Sequence, residues 1–237
     1  MRALGWALGL ALLGGCSGGA QKGADEGAGQ VTGQAKASAP VARPSVPAPK
    51  GPAVHIVALG DSLFAGYGLR AEQAYPVRLE AALRARGINA QVVNAGVSGD
   101  TTQDGKARLD FTLSQGAPPD LVVISLGGND MLRGLPVAQT RGNLSAILES
   151  LEKRKIRTVV MGMLAAPNMG PDYAKSFNAI FPSVAKEHHA GLVPFFLKPI
   201  FNRPDLQLPD HIHPTQQGVE AMVSATVETV AAALPKA

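Results

Sequence analysis

From Val54 onward the chain alternates short aliphatic, β-branched runs with segments of helical spacing, and this alternation limits its folds more than any other feature. VHIVAL (54–59), AQVVNAG (90–96), LVVISLGG (121–128), RTVVMGML (157–164) and GLVPFF (191–196) read as five strands. Between the first two, Val77, Leu79, Ala82 and Leu83 have helical spacing over 75–87, and Gly87 is a stop signal. A second helix is expected over about 103–115, before Pro118-Pro119. Residues 140–154 place Leu144, Ile147, Leu148 and Leu151 on one helical face, and another helix is expected over about 172–188. The last runs from Thr215, as N-cap, to Leu234. Alternating strands and helices with apolar strands predict an α/β fold: a parallel sheet covered on both faces. Five strands suit a sheet of order 2-1-3-4-5. Ligands in such sheets bind beyond the carboxyl ends of the strands, where the order reverses. Function is therefore expected just after strands one, two and three.

After strand one comes Gly60-Asp61-Ser62-Leu63. A serine between a strand and a helix start sits on a tight turn, with its N–H aimed above the sheet and the helix N-terminus behind it. A capping serine is the plainer alternative, and the spacing is not Gly-x-Ser-x-Gly. After strand two comes Asn94-Ala95-Gly96-Val97-Ser98-Gly99-Asp100, whose glycines let a ligand approach the backbone closely. After strand three, Gly127-Gly128-Asn129-Asp130 offers a side-chain amide to the same space. Asp210-His211-Ile212-His213-Pro214 stands directly before the last helix. A carboxylate three residues before a histidine can hold one ring nitrogen and leave the other free as a base. A metal site would need further ligands, and no Cys or His-Glu cluster supplies them; His211 is expected to face solvent. Asp61 and Asp130 read as turn caps, His188 and His189 as a helix end, and Phe195 and Phe196 as core.

In chain order, Ser62, Gly96, Asn129, Asp210 and His213 resemble the SGNH (GDSL-type) hydrolases, and within them the bacterial thioesterase I / arylesterase group. The resemblance spans essentially the whole domain, from HIVALGDSLFAGYGL through VVNAGVSGDTT, LVVISLGGNDMLRGLP and APNMGPDY to LVPFF and DHIHPT. It implies a flavodoxin-like three-layer sandwich and a serine hydrolase cleaving aryl esters, lysophospholipids and thioesters through an acyl-enzyme on Ser62. It further implies His213 as base and Asp210 as its partner. The oxyanion hole would be the N–H groups of Ser62 and Gly96 and the amide of Asn129, with no metal or organic cofactor. Met163 and Leu164 are candidates for an acyl groove. Two positions depart from the group: His211 stands where glycine is usual, and Met131 where a small or aliphatic residue is usual. The rival reading is a lipid-anchored, non-catalytic binding module on the same fold. A nucleotide-binding reading lacks both Gly-x-Gly-x-x-Gly after a strand and a Walker-type Gly-Lys-Ser/Thr.

The chain's start has a separate character. MRALGWALGLALLGGC (1–16) has one Arg, then an uncharged run too short for the roughly 20 residues of a membrane span. Leu13-Gly14-Gly15-Cys16 resembles a bacterial lipobox, and Cys16 is the only cysteine. Lipidation at Cys16 would make the chain a membrane-anchored lipoprotein of the cell envelope. Ser17, in place of a retention Asp, points to the outer membrane with the domain in the periplasm. Residues 17–52 lack aromatic residues, Leu, Ile and Met, and read as a disordered Gly/Ala/Pro-rich tether. The working domain is expected over 53–237. Of the net charge of +4, residues 1–50 carry most, with five Lys/Arg against two Asp/Glu. The remainder is close to neutral, which leaves no electrostatic footprint for nucleic acid. A monomer is the default expectation.

Overall fold

A computed structural model describes residues 46–235. Five parallel strands, β1 (Val54–Gly60), β2 (Ala90–Gly96), β3 (Leu121–Ser125), β4 (Arg157–Met161) and β5 (Gly191–Val193), form one sheet of order β2-β1-β3-β4-β5. All four pairings are parallel, and Gly60 faces Gly96 on one side and Ser125 on the other. All five residues of β3 are buried, as a central strand covered on both faces requires.

Nine α-helices are found among the described residues: α1 (Ser62–Ala65), α2 (Tyr75–Arg84), α3 (Thr102–Ala107), α4 (Leu109–Leu113), α5 (Gly128–Leu132), α6 (Val137–Lys153), α7 (Pro171–Asn178), α8 (Ile180–Glu187) and α9 (Gln216–Ala233). Helices α2 and α9 pack together on one face of the sheet, and α3, α6 and α8 group on the other, which makes the expected three layers. The Tyr75 hydroxyl meets Thr226 Oγ1 at 2.6 Å and ties α2 to α9 inside the core. None of these helices is long and apolar enough to cross a membrane.

The strands begin where the apolar runs begin, and Thr215 caps α9, its hydroxyl accepting from the Gly218 N–H. Two expected helices are divided. The one expected over 103–115 breaks at Arg108, whose side chain turns inward to Asp100 (2.6 Å) and to the Gly60 carbonyl (2.9 Å). The one over 172–188 breaks at Ala179. Pro182 lies three residues on and cannot donate to the carbonyl of Asn178, four residues before it. Strand β5 is only three residues long and stops before Pro194. At the other end, the chain already touches the domain before Ala53: Arg84 donates to the Val46 carbonyl and Asn89 to that of Gly51. The leader, Cys16 and most of the expected tether lie outside the described residues.

Candidate active site

Ser62 is the first residue of α1, directly beyond the end of β1. Asp61 caps this turn: its Oδ1 accepts from the Leu63 N–H at 3.0 Å. Phe64, two residues after Ser62, is fully buried and anchors the turn from below, stacked on Tyr75 at 5.2 Å and edge-on to Phe196 at 5.8 Å. The serine is thus held by a cap above and an aromatic cluster below.

The loop before α9 brings the base to it. Ser62 Oγ lies 2.8 Å from His213 Nε2, and His213 Nδ1 lies 2.7 Å from Asp210 Oδ2. The second carboxylate oxygen of Asp210 accepts from the N–H groups of Ile212 and His213, both at 2.9 Å. Partial burial opposes ionisation of Asp210, but those two N–H groups, followed by the His213 ring, outweigh it and hold the carboxyl at about 2. An ionised Asp210 can only accept, so Nδ1 carries the ring proton and Nε2 is left to take the hydroxyl proton of Ser62. The loop is tightly wound. His211 adopts φ 57°, its N–H donates to the Leu208 carbonyl, and the Leu208 N–H donates to the His213 carbonyl at 2.7 Å. His211 is exposed, as expected, although it lines the mouth of the cavity described below.

Asn129 stands in the first turn of α5, beyond β3. One N–H of its amide donates to the Asp100 carbonyl at 2.9 Å, which fixes the group and leaves the second N–H for a ligand. Asp130 beside it is fully buried and accepts from the Thr102 N–H (2.8 Å) and the Thr140 hydroxyl (3.1 Å), tying α3, α5 and α6 together.

Gly96 does not fit the role expected of it. Its N–H is already given to Asn94 Oδ1 at 2.9 Å, so it is not free for an oxyanion. What Gly96 provides is closeness: a Cβ there would lie 2.3 Å from the Ala65 nitrogen, so glycine lets α1 sit against β2. Gly99 lies in the same turn, and the motif resemblance assigns it no role. It has φ +89°, and among the described residues no acceptor takes its N–H or that of Ser62. The motif held two glycines, and only the geometry separates the packing one from the one with a free donor.

Beside Ser62 and His213 a cavity of about 350 Å³ opens, walled largely by apolar side chains. Met131, Met163, Leu164, Phe195 and Phe201 line it. Phe196 is core, as expected, but Phe195 is not: it faces the cavity and meets Phe201 edge-on at 5.5 Å. A larger groove of about 820 Å³, with charged and apolar residues both in its walls, lies at the opposite strand ends, around Arg157 and His189. Near it is a second Ser–His–carboxylate chain, with Ser145 Oγ 2.8 Å from His188 Nε2 and His188 Nδ1 3.3 Å from Glu152. Ser145 is in mid-helix, so its own N–H is committed to α6 and cannot serve as an oxyanion donor. That chain ties α6 to α8.

Residues 58–221 match the GDSL-like lipase/acylhydrolase family. The chain belongs to that family. Among curated relatives, the arylesterase of Vibrio mimicus is 39% identical over 159 residues, covering 67% of this chain and 79% of that protein. The thioesterase 1/protease 1/lysophospholipase L1 of Escherichia coli K12 is 38% identical over 161 residues, covering 68% and 76%. Among solved structures, AlinE4, an SGNH-hydrolase family esterase, superposes with a TM-score of 0.67 at 54% identity, covering 79% of this chain and all of that one. The fold and the family of this GDSL-type hydrolase are therefore those that the motifs implied.

Proposed function

We propose that this hydrolase cleaves carboxylic esters, aryl esters and lysophospholipids among them, and also thioesters, through an acyl-enzyme on Ser62. The observation that carries the reading is the continuous Ser62–His213–Asp210 relay, with contacts of 2.8 and 2.7 Å, at the mouth of an apolar cavity. His213 Nε2 takes the Ser62 proton while Oγ attacks the carbonyl carbon. The oxyanion is met by the Ser62 N–H, the free N–H of Asn129 and, in place of Gly96, the N–H of Gly99. The imidazolium then protonates the leaving alcohol or thiol. Water, deprotonated by the same Nε2, attacks the acyl-enzyme and releases the acid. The apolar walls suit an acyl chain, and the three polar groups at one end fix its carbonyl.

The same proposal places the protein in a bacterial envelope. Residues 1–16 have the layout of a signal peptide ending in a lipobox, so that Cys16 would carry the lipid and residues 17–52 would link it to a domain over 53–237. A periplasmic domain would meet lysophospholipids rather than cytosolic acyl-CoA.

The test is hydrolysis of p-nitrophenyl butyrate by the full chain and by Ser62→Ala. The proposal expects turnover by the parent and background rates from a variant with an unchanged thermal midpoint. Background rates from both, with long-acyl esters, thioesters and lysophospholipids also left intact, would overturn it in favour of a binding module.

A further inference from the structure

His213 has a neighbour that the reaction above does not use. The ring of Tyr67 lies 4.4 Å from the imidazole, centroid to centroid, at an inclination of 35°. Tyr67 is 52% exposed and stands outside the buried core, so hydrophobic packing does not account for its position.

The backbone delivers it there deliberately. Gly66 ends α1 in the left-handed conformation, and the Tyr67 N–H donates to the Ser62 carbonyl at 3.1 Å. The turn that begins at the nucleophile therefore ends at this tyrosine. Gly68 follows, and a Cβ on it would lie 2.6 Å from Leu208 Cδ1. Leu208 is itself bonded through both backbone groups to the histidine loop, to His211 and His213. Two loops are thus locked against each other, one carrying Ser62 and Tyr67, the other Asp210 and His213.

The chemistry gives this contact a use. Each time Nε2 takes a proton, the ring becomes a cation. Asp210 meets that charge at the ring edge, through Nδ1, and the tyrosine meets it at the ring. An aromatic face within about 6 Å of a cation attracts it, and the attraction exists only while the charge does. Such an interaction is stronger in the transition state than in the resting enzyme, so it raises turnover without tightening substrate binding.

We propose that Tyr67 is a positioning residue for His213: its ring holds the imidazole toward Ser62 and stabilises the imidazolium formed in both acylation and deacylation. This rests on the serine-esterase reading of Ser62 and His213, and the controls separate the two. Steady-state kinetics on p-nitrophenyl butyrate are compared for the full chain, Tyr67→Leu, Tyr67→Phe and Ser62→Ala. Tyr67→Leu is expected to lower kcat about 3- to 30-fold, the range between an exposed and a desolvated cation–π contact. Because both chemical steps slow together, KM should stay within about twofold. Tyr67→Phe, which keeps the ring, should restore kcat to within about twofold of the parent. Unchanged kcat in Tyr67→Leu would overturn the inference. So would a rise in KM alone, which would make Tyr67 a substrate contact, or an equal loss in the Phe variant, which would assign the effect to the hydroxyl. Parent-like activity of Ser62→Ala would instead refute the serine-esterase reading itself.

Discussion

Replacing Asp61 by asparagine tests how the turn beneath the nucleophile is held. Asp61 is 2% exposed and caps α1 through one oxygen, 3.0 Å from the Leu63 nitrogen. Burial pushes its carboxyl up to about 7; the Leu63 N–H opposes the rise, and the nearby Asp100 and Asp130 charges add to it. The sign follows from linkage. Below about pH 4 the folded and unfolded chains both hold the proton. Above it the unfolded chain releases the proton, while the folded chain keeps it until about 7. Stability contributed by this group is therefore full at low pH and is lost as pH rises through that window, by about 1.4 kcal/mol per unit. Asparagine keeps the capping oxygen and cannot ionise. Between about pH 5 and pH 8 the stability of Asp61→Asn relative to the parent should thus rise by about 3 kcal/mol. Urea unfolding of both proteins at the two pH values measures it. A difference that stays constant with pH, or that moves in the parent's favour, would refute the reasoning.

Asn129→Ala should lower kcat on p-nitrophenyl butyrate about 10²- to 10³-fold, as loss of one oxyanion donor does, with the thermal midpoint nearly unchanged. A loss of stability in step with activity would instead make Asn129 a structural residue. Gly96→Ala should behave in the opposite way. Its new Cβ would meet the Ala65 backbone, costing about 3 kcal/mol or more, so thermal melting should fall by several degrees. A variant that melts like the parent would show that α1 and β2 are not in the close contact described.

The strands were legible because a buried parallel sheet needs uninterrupted apolar runs, and β1 to β3 begin where those runs begin. The cap at Thr215 was legible because capping is a local bond between neighbours in sequence. The break at Arg108 was not: it depends on a side chain reaching Asp100 and Gly60, which is a tertiary event. The candidate relay could be read as a set of residue types at strand ends, since Asp210 and His213 are three apart and share a loop. Its fine detail could not. Gly96 and Gly99 are chemically identical in sequence; what distinguishes them is that Asn94 folds back onto the Gly96 N–H and that α1 packs directly on Gly96. Phe195 and Phe196 are adjacent, yet beyond the end of β5 one turns to the cavity and the other to the core. Tyr67 offered no signal either, because its partner lies 146 residues away and is met only when two loops close on each other.

The central claim, that Ser62 is a nucleophile activated by His213, is tested most directly by covalent labelling. The full chain is treated with a fluorophosphonate, and the modified peptide is located by mass spectrometry. The account predicts a single phosphonyl adduct on Ser62, lost in Ser62→Ala and formed far more slowly in a folded His213→Ala variant. An unlabelled parent that is nonetheless folded, or an adduct on another serine such as Ser145, would contradict it.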